Sequence, residues 1–228
     1  MRVARDLVAR LVAACLVLVG IWIVAAGWSI HQTRSVRRQA ERFLAEVIQL
    51  QVGTSTVSQV TPLATKYHGD VVPRDATPDF SPPSIMRSVL SLFRVSGGSA
   101  SGIVGTSCRV DFRFDNRWQH WLCFSPLTRF GATLLIRDSV VDHLSLGLQT
   151  ILSGPSDCVV LIREYHKGQR DSGFPSRADP AVVIVSLSPE ATPAQRAAAY
   201  SISLGCLTKL RGCRDTSEMA PAVPRGIE

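Results

Sequence analysis

The chain lacks the local signatures of common catalytic and metal chemistries, and each absence removes a class of function. It has no His-Glu-x-x-His, no Cys-x-x-Cys and no acidic calcium loop, so the compact zinc, thiol-redox and calcium motifs are excluded. Gly98-Ser99-Ala100-Ser101-Gly102 has the outline of a nucleophile elbow, but Ala100 stands where the serine must be. The same glycines lack the Gly-Lys-Ser/Thr ending of a phosphate loop. Lysine is scarce, with 3 residues against 22 arginines, and no dense basic run accompanies the net charge of +7. Charges alternate in sign along the chain, which argues against a nucleic-acid partner. No cofactor is expected.

Charge is also missing from one long stretch. Between Arg10 and His31 lie 20 residues, LVAACLVLVGIWIVAAGWSI, without an ionisable side chain. As a helix this segment is roughly 30 Å long, the thickness of a bilayer's hydrocarbon core. Residues 1–10 then form a basic head and 11–30 a transmembrane signal anchor, with Trp28 at the interfacial level. Arg2, Arg5 and Arg10 on one flank nearly balance Arg34, Arg37, Arg38 and Arg42 on the other, so charge asymmetry alone does not orient the span. The short basic head and the cysteines beyond the span favour an extracytoplasmic C-terminal domain at the cell membrane. Cleavage after Ala26 is the competing reading, because Val24-Ala25-Ala26 fits a signal-peptide site.

Residues 31–53 keep a helical period. Val36, Ala40, Phe43, Val47 and Leu50 form one apolar seam, expected to pack on the helix's own domain. The alternative is a homodimer zipped through Val36, Phe43, Val47 and Leu50. Gly53 stops this helix, and Thr56-Val57-Ser58-Gln59 is a capping box that opens a second one to about residue 68. Residues 70–83 are proline-rich and read as loop, 84–95 as an ambiguous apolar element, and 97–105 as a connector.

From residue 108 the period becomes two. Cys108, Val110, Phe112 and Phe114 alternate with Arg109, Asp111 and Arg113, the pattern of a half-buried strand. A turn at Asp115-Asn116 would bring the chain back so that Cys108 faces Cys123 and Asp111 lies against His120. A second hairpin, 130–136 with 140–148, turns through a three-residue loop at Arg137-Asp138-Ser139. Residues 158–162 and 181–187 are continuously apolar, as in central strands covered on both faces. Thr192-Pro193-Ala194-Gln195 opens a last helix expected to reach about residue 210.

The expected fold class is therefore α+β: an N-terminal transmembrane helix, then one domain (54–215) whose antiparallel sheet of five or six strands packs on two or three helices. A flexible tail covers 216–228. Disulfide candidates are Cys206 with Cys213, six residues apart in between, and Cys108 with Cys123. Glu164, His166, Arg170 and Asp171, around the mouth of a fifteen-residue loop, make the most plausible polar binding cluster. Expected partners are the membrane and an envelope protein. The domain reads as a non-catalytic binding or structural module, with a membrane-tethered enzyme built from the same polar residues as the alternative.

Overall fold

Helix α1 spans Arg2–Val47 without a break, a rod roughly 70 Å long at about 1.5 Å per residue. The computed structural model describes residues 2–73, 107–152, 157–166 and 182–222. The N-terminal part of α1 is long and apolar enough to cross a membrane, and none of that stretch is buried in the folded chain. Burial begins at Ser29 and Thr33 and continues through Ala40, Phe43 and Val47. One helix thus supplies both the apolar rod and part of the core.

The chain then makes α2 (Val57–Lys66), β1 (Asp70–Pro73), β2 (Ser107–Asp115), α3 (Arg117–Cys123), β3 (Leu127–Arg137), β4 (Val140–Ile151), β5 (Cys158–Tyr165), β6 (Val182–Leu187), α4 (Pro193–Ala199), a 3₁₀ turn (Leu204–Leu207) and α5 (Thr216–Met219). The strands form one six-stranded sheet in sequence order. Four pairings are antiparallel and β5–β6 is parallel, so the sheet is mixed and the fold is α+β.

Strict alternation builds the core face. Phe114, Phe130, Leu148 and Val160 stand in one cross-strand row, and Phe112, Ala132, Leu146 and Ile162 in the next. All eight are buried. The seam of α1 lies on this face, and Phe43 is its centre. Its ring centroid is 4.5 Å from Phe112, 5.3 Å from Phe114 and 5.2 Å from Tyr67. Because Phe43, Val47 and Leu50 are spent in the core of their own chain, a homodimer through Val36, Phe43, Val47 and Leu50 would have to pull them out of it. Helix α2 starts from the Thr56 box, with Gln59 Oε1 accepting the Thr56 N–H at 3.0 Å. It is tied to α1 by Lys66 and Tyr67, which both donate to Glu46 Oε1 at 2.6 and 2.9 Å.

The expected hairpin of β2 with residues 117–123 does not form. Asn116 is buried and bridges a detour: its Oδ1 accepts the Thr128 N–H at 2.8 Å and its Nδ2 donates to Pro126 O at 3.0 Å. Between those bonds Trp118 and Trp121, three apart, lie on a helical turn instead of a strand. β2 pairs with β3, so Cys108 is opposite Ile136 and Asp111 is opposite Thr133, whose hydroxyl donates to Asp111 Oδ1 at 2.6 Å. Cys108 is a buried free thiol, pushed up by that burial, and Cys123 is free on α3. A Cys108–Cys123 disulfide is therefore not made.

Smaller departures share one cause, tertiary contacts outside the reach of local pattern. The expected three-residue loop becomes a two-residue turn, with Asp138 and Ser139 at φ 51° and 65°, and a bulge beside Ile136 restores the inward set. β6 is an edge strand, with Ile184 exposed, and is not covered on both faces. The last helix ends at Ala199, because the chain bends so that the Ser203 N–H reaches Met219 O at 2.7 Å. Residues 216–219, expected within a flexible tail, form a helix instead: Asp215 caps α5, and Met219 is fully buried. Cys206 and Cys213 are joined, with Cα atoms 5.2 Å apart, closing the loop after the 3₁₀ turn.

Phe43→Ala removes the ring on which α1, α2 and the sheet converge. It should cost about 3–5 kcal/mol of stability in denaturant unfolding of the full chain in detergent. A loss below about 1 kcal/mol would show that α1 does not carry the core.

Candidate functional site

The pleat that points Cys158, Val160 and Ile162 inward also points Glu164 inward, placing a carboxylate on the core face. Across the sheet its neighbours are Leu144 and Leu187, which offer no polar atom of their side chains. Burying such a group is costly unless it is both paired and hydrogen-bonded. Helix α4 meets both needs. Thr192 caps it and Pro193 fixes its first turn, so Arg196 and Tyr200, four apart, come down on one face. Tyr200 Oη donates to Glu164 Oε2 at 2.5 Å, and Arg196 Nη2 pairs with Oε1.

Both carboxylate oxygens are thereby occupied, and the guanidinium neutralises the charge. Burial pushes the Tyr200 phenol up to about 12, with the nearby Arg196 cation opposing the shift, so the phenol is a donor and not a base at neutral pH. The arrangement clamps α4 onto the end of β5. Neither Arg196 nor Tyr200 was among the expected site residues. Their i,i+4 spacing on a well-capped helix was visible, but an inward carboxylate to receive them was not.

His166 is not brought into this cluster. Its N–H donates to Asp142 O at 3.0 Å, and its ring sits against Gly53. Gly53 has φ +89°, and a Cβ there would lie 1.9 Å from His166 Nδ1, so glycine is required on both counts. The Gly53 N–H in turn donates to Val141 O at 2.8 Å, locking this turn to β4. Arg170 and Asp171, and the loop residues 167–181, lie outside the described residues, as do 74–106. His120 and Cys123 share α3 but not a contact: His120 Nδ1 is 2.5 Å from Ser125 O, while Cys123 Sγ is 3.5 Å from Ser29 Oγ. Among the described residues, no group of three or more His, Cys, Asp or Glu is placed to hold a metal ion.

Position along the sheet separates two ends. Asp115, Leu127, Ile151 and Cys158 lie at the end beside α3, and α3 packs on α1 at Trp28 and Ser29. Pro73, Ser107, Tyr165 and the Glu164 clamp lie at the opposite end. No protein-family model, curated protein or solved structure matches the chain. Its class is set by architecture alone, an α+β domain borne on a helix of membrane-crossing length and composition.

The clamp has an alkaline signature. The folded state holds the Tyr200 proton more tightly than an ordinary phenol of value 10, so this contribution is intact below pH 10 and is lost as pH rises toward 12. It amounts to at most about 3 kcal/mol. Tyr200→Phe should lower stability at neutral pH by about 1–2 kcal/mol, for the lost bond to a carboxylate, and flatten the decline above pH 10. Parallel pH–stability curves for the two proteins would exclude the clamp.

Proposed function

We propose that the chain is a single-pass membrane-anchored envelope protein whose extracytoplasmic α+β domain is a non-catalytic binding or structural module. The observation that carries this reading is the continuity of α1. Its apolar stretch and its core-forming stretch are one helix, so the domain is held at a fixed height by the segment that is exposed and apolar. A tether of this kind suits a protein that works at a surface. The Cys206–Cys213 link supports an oxidising compartment, where such bonds persist.

The polar cluster supports a structural role for its residues. Glu164 is consumed by Arg196 and Tyr200, and His166 packs on a glycine turn. We assign contacts with an envelope partner to the sheet end far from α3, where the chain leaves the described residues after Pro73 and after His166. Retention of the anchor is favoured over cleavage after Ala26. α1 passes through that residue unbroken, and Ala26 O accepts the Ser29 hydroxyl at 2.7 Å just below the α3 contact.

Membranes washed with high salt and then alkaline carbonate should keep the protein, and detergent should release it. Intact mass of the released chain should include residues 1–26, with Cys206 and Cys213 linked and the other cysteines open to alkylation after unfolding. Release by carbonate, a chain starting at Gly27, or a reduced Cys206 in the native protein would each contradict the assignment.

A further inference from the structure

Helix α3 is an unusual surface element. Trp118 is 55% exposed, Trp121 58% and Phe124 84%, on a segment of eight residues. Phe124 is also held at φ 52°, a left-handed conformation rare for a bulky residue. Folding gains nothing from such display. The position of α3 supplies a reason. Trp118 meets Trp28 edge-on at 5.4 Å, and Cys123 lies against Ser29, so α3 is fixed at the last turn of the apolar stretch that ends at Ile30. If that stretch fills a bilayer, Trp28 stands at the headgroup level and α3 stands beside it.

Basic side chains gather next to α3 in a matching way. Asp115 is paired by Arg113 and Arg117, both at 3.2 Å, and stands opposite Arg129 across the β2–β3 ladder. Among the described residues, three guanidiniums thus stand around the Asp115 carboxylate. Arg129 Nε is buried without a hydrogen-bond partner, and burial together with the Arg113 and Arg117 charges pushes this guanidinium down from its ordinary value. An arginine stays protonated under such conditions, so this patch keeps its positive charge. Phosphate-bearing headgroups supply anions at this height, while the acyl region just beneath takes the aromatic rings.

We infer that α3 is a lipid-docking foot: Trp118, Trp121 and Phe124 enter the bilayer interface, and Arg113 and Arg117 engage anionic lipid headgroups. The inference rests on α1 spanning the membrane. Its consequence is orientational. With α1 fixed in lipid and α3 seated on it, the domain cannot swivel about its anchor, and the opposite end of the sheet is presented to the surroundings at one height and angle.

The test uses the full chain in vesicles of neutral lipid with or without an anionic component, and lipids brominated high on the acyl chain as tryptophan quenchers. The chain has four tryptophans, so W22F/W28F leaves Trp118 and Trp121 as reporters, and W118F/W121F leaves the span. Trp118 and Trp121 should be quenched by brominated lipid and protected from aqueous iodide, more strongly with anionic lipid. R113Q/R117Q should remove roughly half or more of that anionic-lipid dependence. Quenching of Trp22 and Trp28 with iodide-accessible Trp118 and Trp121 would overturn the foot while leaving the anchor in place. Loss of quenching at all four positions would instead overturn the anchor. Shielding of Trp118 and Trp121 from both quenchers would assign the surface to another protein or a second copy, also against the inference. Identical lipid dependence in R113Q/R117Q would remove the arginines from it.

Discussion

The structure depends on one helix being continuous. α1 passes from a stretch that is exposed and apolar to a stretch whose Phe43 lies fully buried among Phe112, Phe114, Phe130 and Tyr67. Neither half stands alone. Among the described residues the apolar half meets the fold only at its last turn, where Trp28 and Ser29 touch α3, and the sheet's aromatic rows would lose their cover without the other half. A hinge between them would separate anchorage from folding. Instead Ser29 and Thr33 bond back to Ala26 O and Ser29 O, and α3 covers this turn from outside.

Around that rod the sheet is arranged by simple alternation. Consecutive strands are neighbours, which keeps connections short wherever the described chain is continuous, and the inward rows meet α1 and α2 in one core. Exceptions to the alternation are informative. Asn116 interrupts the run after β2 and throws out α3, and Glu164 places a charge where Val110, Leu134 and Leu144 set an apolar row. The first puts aromatics beside the anchor. The second recruits Arg196 and Tyr200 to hold the C-terminal segments on the sheet.

Much of this was legible locally. An uncharged run of 20 residues, the seam from Val36 to Leu50, the capping boxes at Thr56 and Thr192, and the inward sets of β2 and β3 all follow from spacing, whereas the β4 bulge turns Val141 inward in place of Val140. What was not legible depends on partners distant in sequence. Cys108 and Cys123 look like opposed residues of a hairpin until Asn116 is seen to bond across to Pro126 and Thr128. Trp118 and Trp121 fit the strand alternation only loosely and fit a helical turn better, but nothing nearby decides between them. Of the expected polar cluster, Glu164 is spent on α4, His166 packs on Gly53, and Arg170 and Asp171 lie outside the described residues. A buried carboxylate cannot be told from an exposed one by its neighbours in sequence when strand and loop meet at that residue.

The continuity of α1 can be examined directly by amide hydrogen exchange of the full chain in lipid nanodiscs, followed across residues 26–36. Slow exchange is expected throughout, running without interruption into the protected turns around Phe43. Rapid exchange confined to residues 27–33, dividing two protected stretches, would show a flexible joint there and contradict it.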